Sequence, residues 1–285
     1  MGKIWQEFGP ALGHADVILR TRPQLGSHLL PALTAIASLP EGRSRLVEIL
    51  ETTPAWRKWF LRQYSRQADD PAAALPIYAA LQAGPTPPTS DELRAPLDRL
   101  IGAGAFEQAL LLWLGSLDPE ETQALGYVYN GDFEHPVSNL AFDWVIGRVR
   151  GADITVAESD LDRGKALRVQ FARSRIAFRH VRKLVVLRPG SYRLTGKARA
   201  RDLRSERGLV WTLTCAEGAN QLLAETNRVT GTMEAEISTA FTVPAHGCRA
   251  QWLRLELAAR IPPERDVGGG TVWYDALQVQ RIGER

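Results

Sequence analysis

The chain changes its grammar at Asn130-Gly131-Asp132-Phe133-Glu134. Upstream of these five residues, apolar side chains recur at helical spacing. Downstream they alternate in short runs separated by Gly, Pro and Asn. One change of period, kept to the end, predicts two domains: a helical one over residues 1–125 and a β one over residues 126–285. In a chain of 285 residues, each half is long enough to bury its own core.

The first half reads as seven or eight short helices over residues 14–125. Pro23, Pro31, Pro40, Pro54, Pro71, Pro76 and Pro119 are expected mostly near helix starts or in connections, where a missing N–H costs least. Thr53-Pro54 reads as the cap and first turn of a helix that carries Trp56, Trp59, Phe60 and Tyr64 on one face. Gly84-Pro85-Thr86-Pro87-Pro88 cannot continue a helix, and Thr89 or Ser90 can cap the next one. A stripe of Leu93, Leu97, Leu100 and Ile101 then leads to a turn at Gly104 and a second helix from Phe106.

In the second half, Leu167, Val169 and Phe171 point one way, with Arg168 and Gln170 the other. Tyr192, Leu194, Gly196 and Ala198 alternate with Arg193, Thr195, Lys197 and Arg199. Trp211, Leu213 and Cys215 alternate with Thr212 and Thr214, and Leu253, Leu255 and Leu257 with Trp252, Arg254 and Glu256. Many short strands, each with one apolar face, predict an antiparallel β-sandwich. Trp252 faces away from the leucines, on a side that is either a ligand face or a contact with the helical domain. Cys215 and Cys248 are either one bridge or two buried thiols.

Composition narrows the function. Apolar content of 45% and charged content of 24% are those of an ordinary globular protein. No apolar run approaches the ~18–20 residues that span a bilayer. Met1-Gly2-Lys3-Ile4-Trp5 carries no apolar leader, a start expected when a leader or anchor has been removed. The net charge of +3 is uneven: 11 Lys and Arg against 14 Asp and Glu before residue 126, and 24 against 18 after it. The second domain is therefore mildly basic, without a motif that reads nucleic acid. Arg193, Lys197, Arg199, Arg201, Arg204 and Arg207 form a basic stretch that is either a solvated strand face or a seat for an anionic polysaccharide or lipid headgroup. His14, His28, His135, His180 and His246 are scattered without metal-ligand spacing. No nucleophile elbow and no phosphate-cradling loop is present, so no catalytic residue is assigned and an enzyme is not expected.

Asn130-Gly131-Asp132-Phe133-Glu134, then Phe142-Asp143-Trp144, Gly164-Lys165-Ala166-Leu167, Pro189-Gly190-Ser191-Tyr192 and the closing Trp273-Tyr274-Asp275 occur in an order that resembles carbohydrate-binding modules with a galactose-binding-like jelly roll. The resemblance implies a structural calcium between the first and last strands, with Glu134 and Asp275 as its carboxylates. It also implies a Cys215–Cys248 disulfide, whose loop of about 34 residues contributes roughly 3–4 kcal/mol in the chain-entropy model. For a glycan it implies stacking and polar contacts, here assigned to Trp252, Arg254, Tyr192 and Arg199. Residues 91–119 resemble one tetratricopeptide-type hairpin, without a clean second copy.

The fold class is thus a two-domain α + β chain, a tetratricopeptide-like antiparallel helical array followed by a jelly-roll sandwich. The whole resembles bacterial extracytoplasmic proteins of helical region plus module. It implies a non-catalytic binding or scaffold protein of the cell envelope, periplasmic or otherwise extracytoplasmic, touching a membrane only through an N-terminal anchor. Its partners would be a glycan or polysaccharide, acidic or neutral, and a protein held by the helices. The alternatives are a glycan-processing enzyme with a site between domains, and a structural scaffold with a degenerate sandwich.

Overall fold

The computed structural model describes residues 8–123, 125–159 and 164–283. The leader reading at Met1–Trp5 lies outside the described residues. The chain divides into two compact units, Met1–Pro119 and Glu120–Arg285.

The first unit is helical: Phe8–Thr21 (α1), Gly26–Ser38 (α2), Pro40–Glu51 (α3), Arg57–Gln67 (α4), Leu75–Ala83 (α5), Ser90–Gly102 (α6) and Phe106–Leu114 (α7), with Pro119–Gln123 (α8) at the junction. Among the described residues no helix is long and apolar enough to cross a membrane. Pro40 and Pro76 do occupy first turns, but Pro31 and Pro96 lie inside α2 and α6. Thr53 is not a cap. Its φ of 51° is left-handed and breaks the chain after α3, so α4 starts only at Arg57. Three of the four expected aromatics lie together: Trp56 meets Phe60 edge-on at 6.1 Å, and Phe60 stacks on Tyr64 at 5.5 Å. Thr89 caps α6 through a capping box with Glu92.

That same Glu92 anchors a buried charge. Arg57 Nε and Nη2 donate to its two oxygens at 3.0 and 3.2 Å. Arg57 Nη1 also donates to Leu50 O and Thr86 Oγ1, and Nη2 to Thr86 O and Pro87 O. One guanidinium thus ties the end of α3, the proline loop and the start of α6, with its donors satisfied out of water. The α6–α7 hairpin turns at Gly104, whose φ is 75°.

The second unit is an antiparallel β-sandwich. Its strands are Val145–Ile146 (β1), Ala152–Glu158 (β2), Lys165–Phe171 (β3), Ser174–Arg175 (β4), Val181–Val185 (β5), Gly190–Leu203 (β6), Leu209–Cys215 (β7), Leu222–Glu225 (β8), Gly231–Val243 (β9), Gln251–Leu257 (β10), Asp266–Val267 (β11) and Gly270–Arg281 (β12). One sheet has the order β1-β5-β10-β7-β8, the other β2-β3-β12-β6-β9, and β4 pairs with β11. The inward faces meet through aromatic rings: Trp144 and Trp211 lie 5.5 Å apart, as do Trp211 and Tyr274 from opposite sheets. Cys215 and Cys248 are joined in a disulfide. On the outer edge of β9, Asn227 Nδ2 donates to Glu236 O and Ser238 N donates to Asn227 Oδ1.

The Asn130–Glu134 stretch closes this unit. Asn130 and Phe133 are left-handed, and the Asn130 side chain bonds both main-chain groups of His135. Asp143 accepts from Ser138 N and Oγ, and from Asn130 Nδ2. Three successive carbonyls find donors far off in sequence. Tyr129 O accepts from Lys183 Nζ at 2.6 Å, Asn130 O from Trp144 Nε1 at 2.7 Å, and Gly131 O from Leu277 N at 2.8 Å. The first and last segments therefore lie side by side. Gly131 must be glycine, because a Cβ there would stand 2.0 Å from Leu277 O.

Two predictions follow from buried charge. Arg57→Ala strands Glu92 and should cost about 3–5 kcal/mol of unfolding free energy in the helical unit, read by urea titration. An unchanged midpoint would remove the clamp. Lys183 is 1% exposed, with its ammonium over the rings of Tyr129 and Trp144. Burial lowers its pKa to about 7, against a smaller opposing pull from Asp143. Between that value and the ordinary 10.5, the unfolded chain binds more protons than the folded one. Stability should therefore rise with pH from 7 towards 10, by at most about 1.4 kcal/mol per pH unit. Lys183→Met should flatten the slope, and a flat wild-type profile would contradict the assignment.

Candidate functional site

Alternation along β12 sends Val272 and Tyr274 into the core and Trp273 outward. Register then builds a row across five strands. Thr155 of β2 pairs with Arg168 of β3, Arg168 with Trp273 of β12, Trp273 with Arg199 of β6, and Arg199 with Glu234 of β9. Trp273 stands at the middle, half-buried, with the Arg201 guanidinium carbon 5.2 Å from its ring centroid. Arg199 Nη2 donates to Glu234 at 2.8 Å. Arg168 reaches Asp153 only loosely, at 3.6 Å, and its Nε has no partner.

The next row holds Asp275, Lys197 and Glu236 in register. Beyond it β12 bulges between Asp275 and Gln278, where Ala276 has a φ of 51°. The bulge leaves a hollow of about 470 Å³ lined by Lys197, Glu234, Glu236, Ala276 and Gln278, among others. Flat aromatic, cations and carboxylates thus share one face in nearly balanced number. Such a face can accept and donate hydrogen bonds at once, which suits a hydroxyl-rich ligand better than a bare ion.

A larger hollow of about 720 Å³ runs along the edge strands β1 and β2. Pro136, Val137, Ile146, Val149, Ile154 and Val156 contribute to its wall, and among the described residues no Trp, Tyr or Phe lines it.

Of the four residues assigned to a glycan from sequence, only Arg199 lies on the Trp273 face. Trp252 and Arg254 point outward from β10, on the other sheet, with the Arg182 guanidinium carbon 4.7 Å from the Trp252 ring centroid. Tyr192 is a core residue and offers no ring face to a ligand. It is 1% exposed, stacks on Phe241 at 5.6 Å, and donates its hydroxyl to Arg188 O. Its register position, opposite Phe241 and Arg281, explains this: the strand turns its apolar side inward there. Trp273 is not among the residues assigned from sequence; its position between the apolar Val272 and Tyr274 is the signal that could have marked it as outward, and only register places it between two arginines.

Glu134 Oε1 accepts from Lys165 N at 2.7 Å and fills the space that a Cβ at Gly164 would need. Asp275 Oδ1 accepts from Ala276 N at 2.6 Å, at the bulge. Each carboxylate thus has a main-chain task. Among the described residues no three His, Cys, Asp or Glu side chains cluster as metal ligands. A calcium there would draw most of its roughly 6–8 oxygens from carbonyls.

Solved structures similar to this chain cover its C-terminal half. A CBM4 module aligns at 15% identity and a TM-score of 0.40, over 54% of this chain and 99% of its own. TmCBM61, solved in complex with beta-1,4-galactotriose, aligns at 14% identity and 0.36, over 55% and 99%. The CBM22-2 xylan-binding domain from Paenibacillus barcinonensis Xyn10C aligns at 14% identity and 0.37, over 53% and 98%. No protein-family model and no curated protein matches the chain.

Proposed function

We propose that this protein is a non-catalytic glycan-binding scaffold, and that the outer face of the β2-β3-β12-β6-β9 sheet is where the glycan lies. The observation that carries this reading is the placement of Trp273 between Arg168 and Arg199 beside the hollow at the bulge. A sugar ring packs its C–H face on an indole, and its hydroxyls bond to guanidinium donors and carboxylate acceptors. The near balance of charge favours a neutral glycan on this face.

The helical unit is read as a tetratricopeptide-like support for a protein partner, in keeping with its α6–α7 hairpin. The Cys215–Cys248 bridge supports a place outside the cytoplasm, since disulfides persist in oxidising compartments. An inner-membrane anchor, periplasmic residence and the envelope role belong to the same reading.

Titration calorimetry against soluble neutral β-glucan, xylan and galactan tests the site. Binding without hydrolysis should appear for at least one glycan and weaken at least about tenfold in Trp273→Ala, a loss of roughly 1.4 kcal/mol. Binding to none of them, or binding that ignores the substitution, would refute the reading. A structural calcium on Glu134 and Asp275 is a separate part of the proposal, supported by the side-by-side run of the opening and closing segments. It predicts a melting temperature several degrees lower in chelator than in calcium. Identical curves would remove the metal.

A further inference from the structure

We propose a second site on the opposite sheet, where Arg182 and Arg254 receive the carboxylates of an acidic polysaccharide. Arg254 of β10 stands directly opposite Arg182 of β5. Like charges in that position repel, because facing side chains start only about 4.5–5.5 Å apart. Arg179 adds a third cation within Coulomb range of Arg254. Arg179, Arg182 and Arg254 form no ion pair among the described residues, unlike Arg199 or Arg175 on other strands.

The cluster is also held in place. The Arg182 guanidinium carbon lies 4.7 Å from the Trp252 ring centroid, a cation–π contact that favours this placement. Arg254 is half-buried, while Arg179 and Arg182 are exposed. Burial lowers the Arg254 pKa first. Glu256 opposes this, and Arg182 and Arg179 lower it further. An anion bridging the two forks would relieve the repulsion that the fold leaves standing.

The neighbours favour a hydroxyl-bearing anion over a bare one. Thr214 faces Trp252 across the ladder, and Glu225 faces Thr212, which itself faces Arg254. Hydroxyl and carboxylate acceptors therefore border the arginine pair on one side. The choice of a sugar as the carrier of the anion rests on the glycan reading of the other sheet. The charge arrangement itself does not: that face pairs its arginine with Glu234, and this one sets three cations against Glu256 and the more distant Glu225, with no ion pair to either among the described residues.

The experiment titrates the full chain with tetragalacturonate, with a neutral galactan oligosaccharide of equal length, and with a poly-glutamate peptide. Tetragalacturonate should bind, weaken as salt rises, and lose at least about tenfold in Arg254→Gln and in Arg182→Gln. Arg182→Lys, which keeps the charge but removes the fork, should recover only part of the loss. Trp273→Ala should leave this binding unchanged while weakening that of the neutral glycan at least about tenfold. Urea curves check each variant, and the exposed Arg182 carries the test if Arg254→Gln does not fold. Neutral binding with no uronate binding overturns this site and leaves the Trp273 reading intact. Uronate binding lost in Trp273→Ala, or indifferent to both arginines, also overturns it. Poly-glutamate binding as tightly as the uronate transfers the site to an acidic protein and overturns the sugar.

Discussion

Closure of the β unit depends on three consecutive carbonyls, those of Tyr129, Asn130 and Gly131. Their donors are a lysine ammonium from β5, an indole from the segment before β1, and a main-chain N–H from β12. A buried acceptor left without its donor costs about 1–3 kcal/mol, so each of these contacts holds the opening segment against the sandwich. The last of them pins Leu277. With Leu277 held inward, Ala276 lies at the bulge that opens the hollow beyond the Trp273 row. One wall of the candidate site thus lies where the opening segment grips the closing strand.

Most of the architecture is legible in the residues. The change of period at Asn130 marks a helical and a β part, and alternation assigns the inner face of β3, β6, β7 and β10. It also places Tyr192 inward beside Leu194, which is why its assignment to a ligand does not hold once the strand is paired. Local chemistry is less legible where backbone conformation overrides propensity. Thr53 resembles a cap, yet a left-handed φ makes it a chain break. Pro96 sits inside α6 because buried packing outweighs the hydrogen bond it forgoes. The row through Trp273 is not readable from one sequence, because register couples five separate strands and no single stretch encodes it. Nor is the purpose of Lys183: a lysine amid strand residues reads as solvent-facing until its partner carbonyl is known.

The two outer faces of the sandwich carry cations in different company. On the β12 side Arg199 faces Glu234, and Lys197 stands between Asp275 and Glu236, so attraction within the protein is largely satisfied and hydrogen-bonding capacity remains. On the β10 side arginine faces arginine, and the nearest acid, Glu256, lies further along the same strand. One backbone design therefore presents two chemistries back to back, separated by a core of Trp144, Trp211 and Tyr274. A long polymer with both neutral and charged stretches would meet a suitable surface on either side.

Asn227 adds a constraint of another kind. A strand as long as β9, at the rim of its sheet, offers a template on which a neighbouring molecule can lay its own backbone. The Asn227 amide occupies the Glu236 and Ser238 positions as a single false rung, which interrupts that template near its middle. The free edge is thereby divided into two shorter runs. This one side chain makes the rim of the sheet a poorer template for a second backbone.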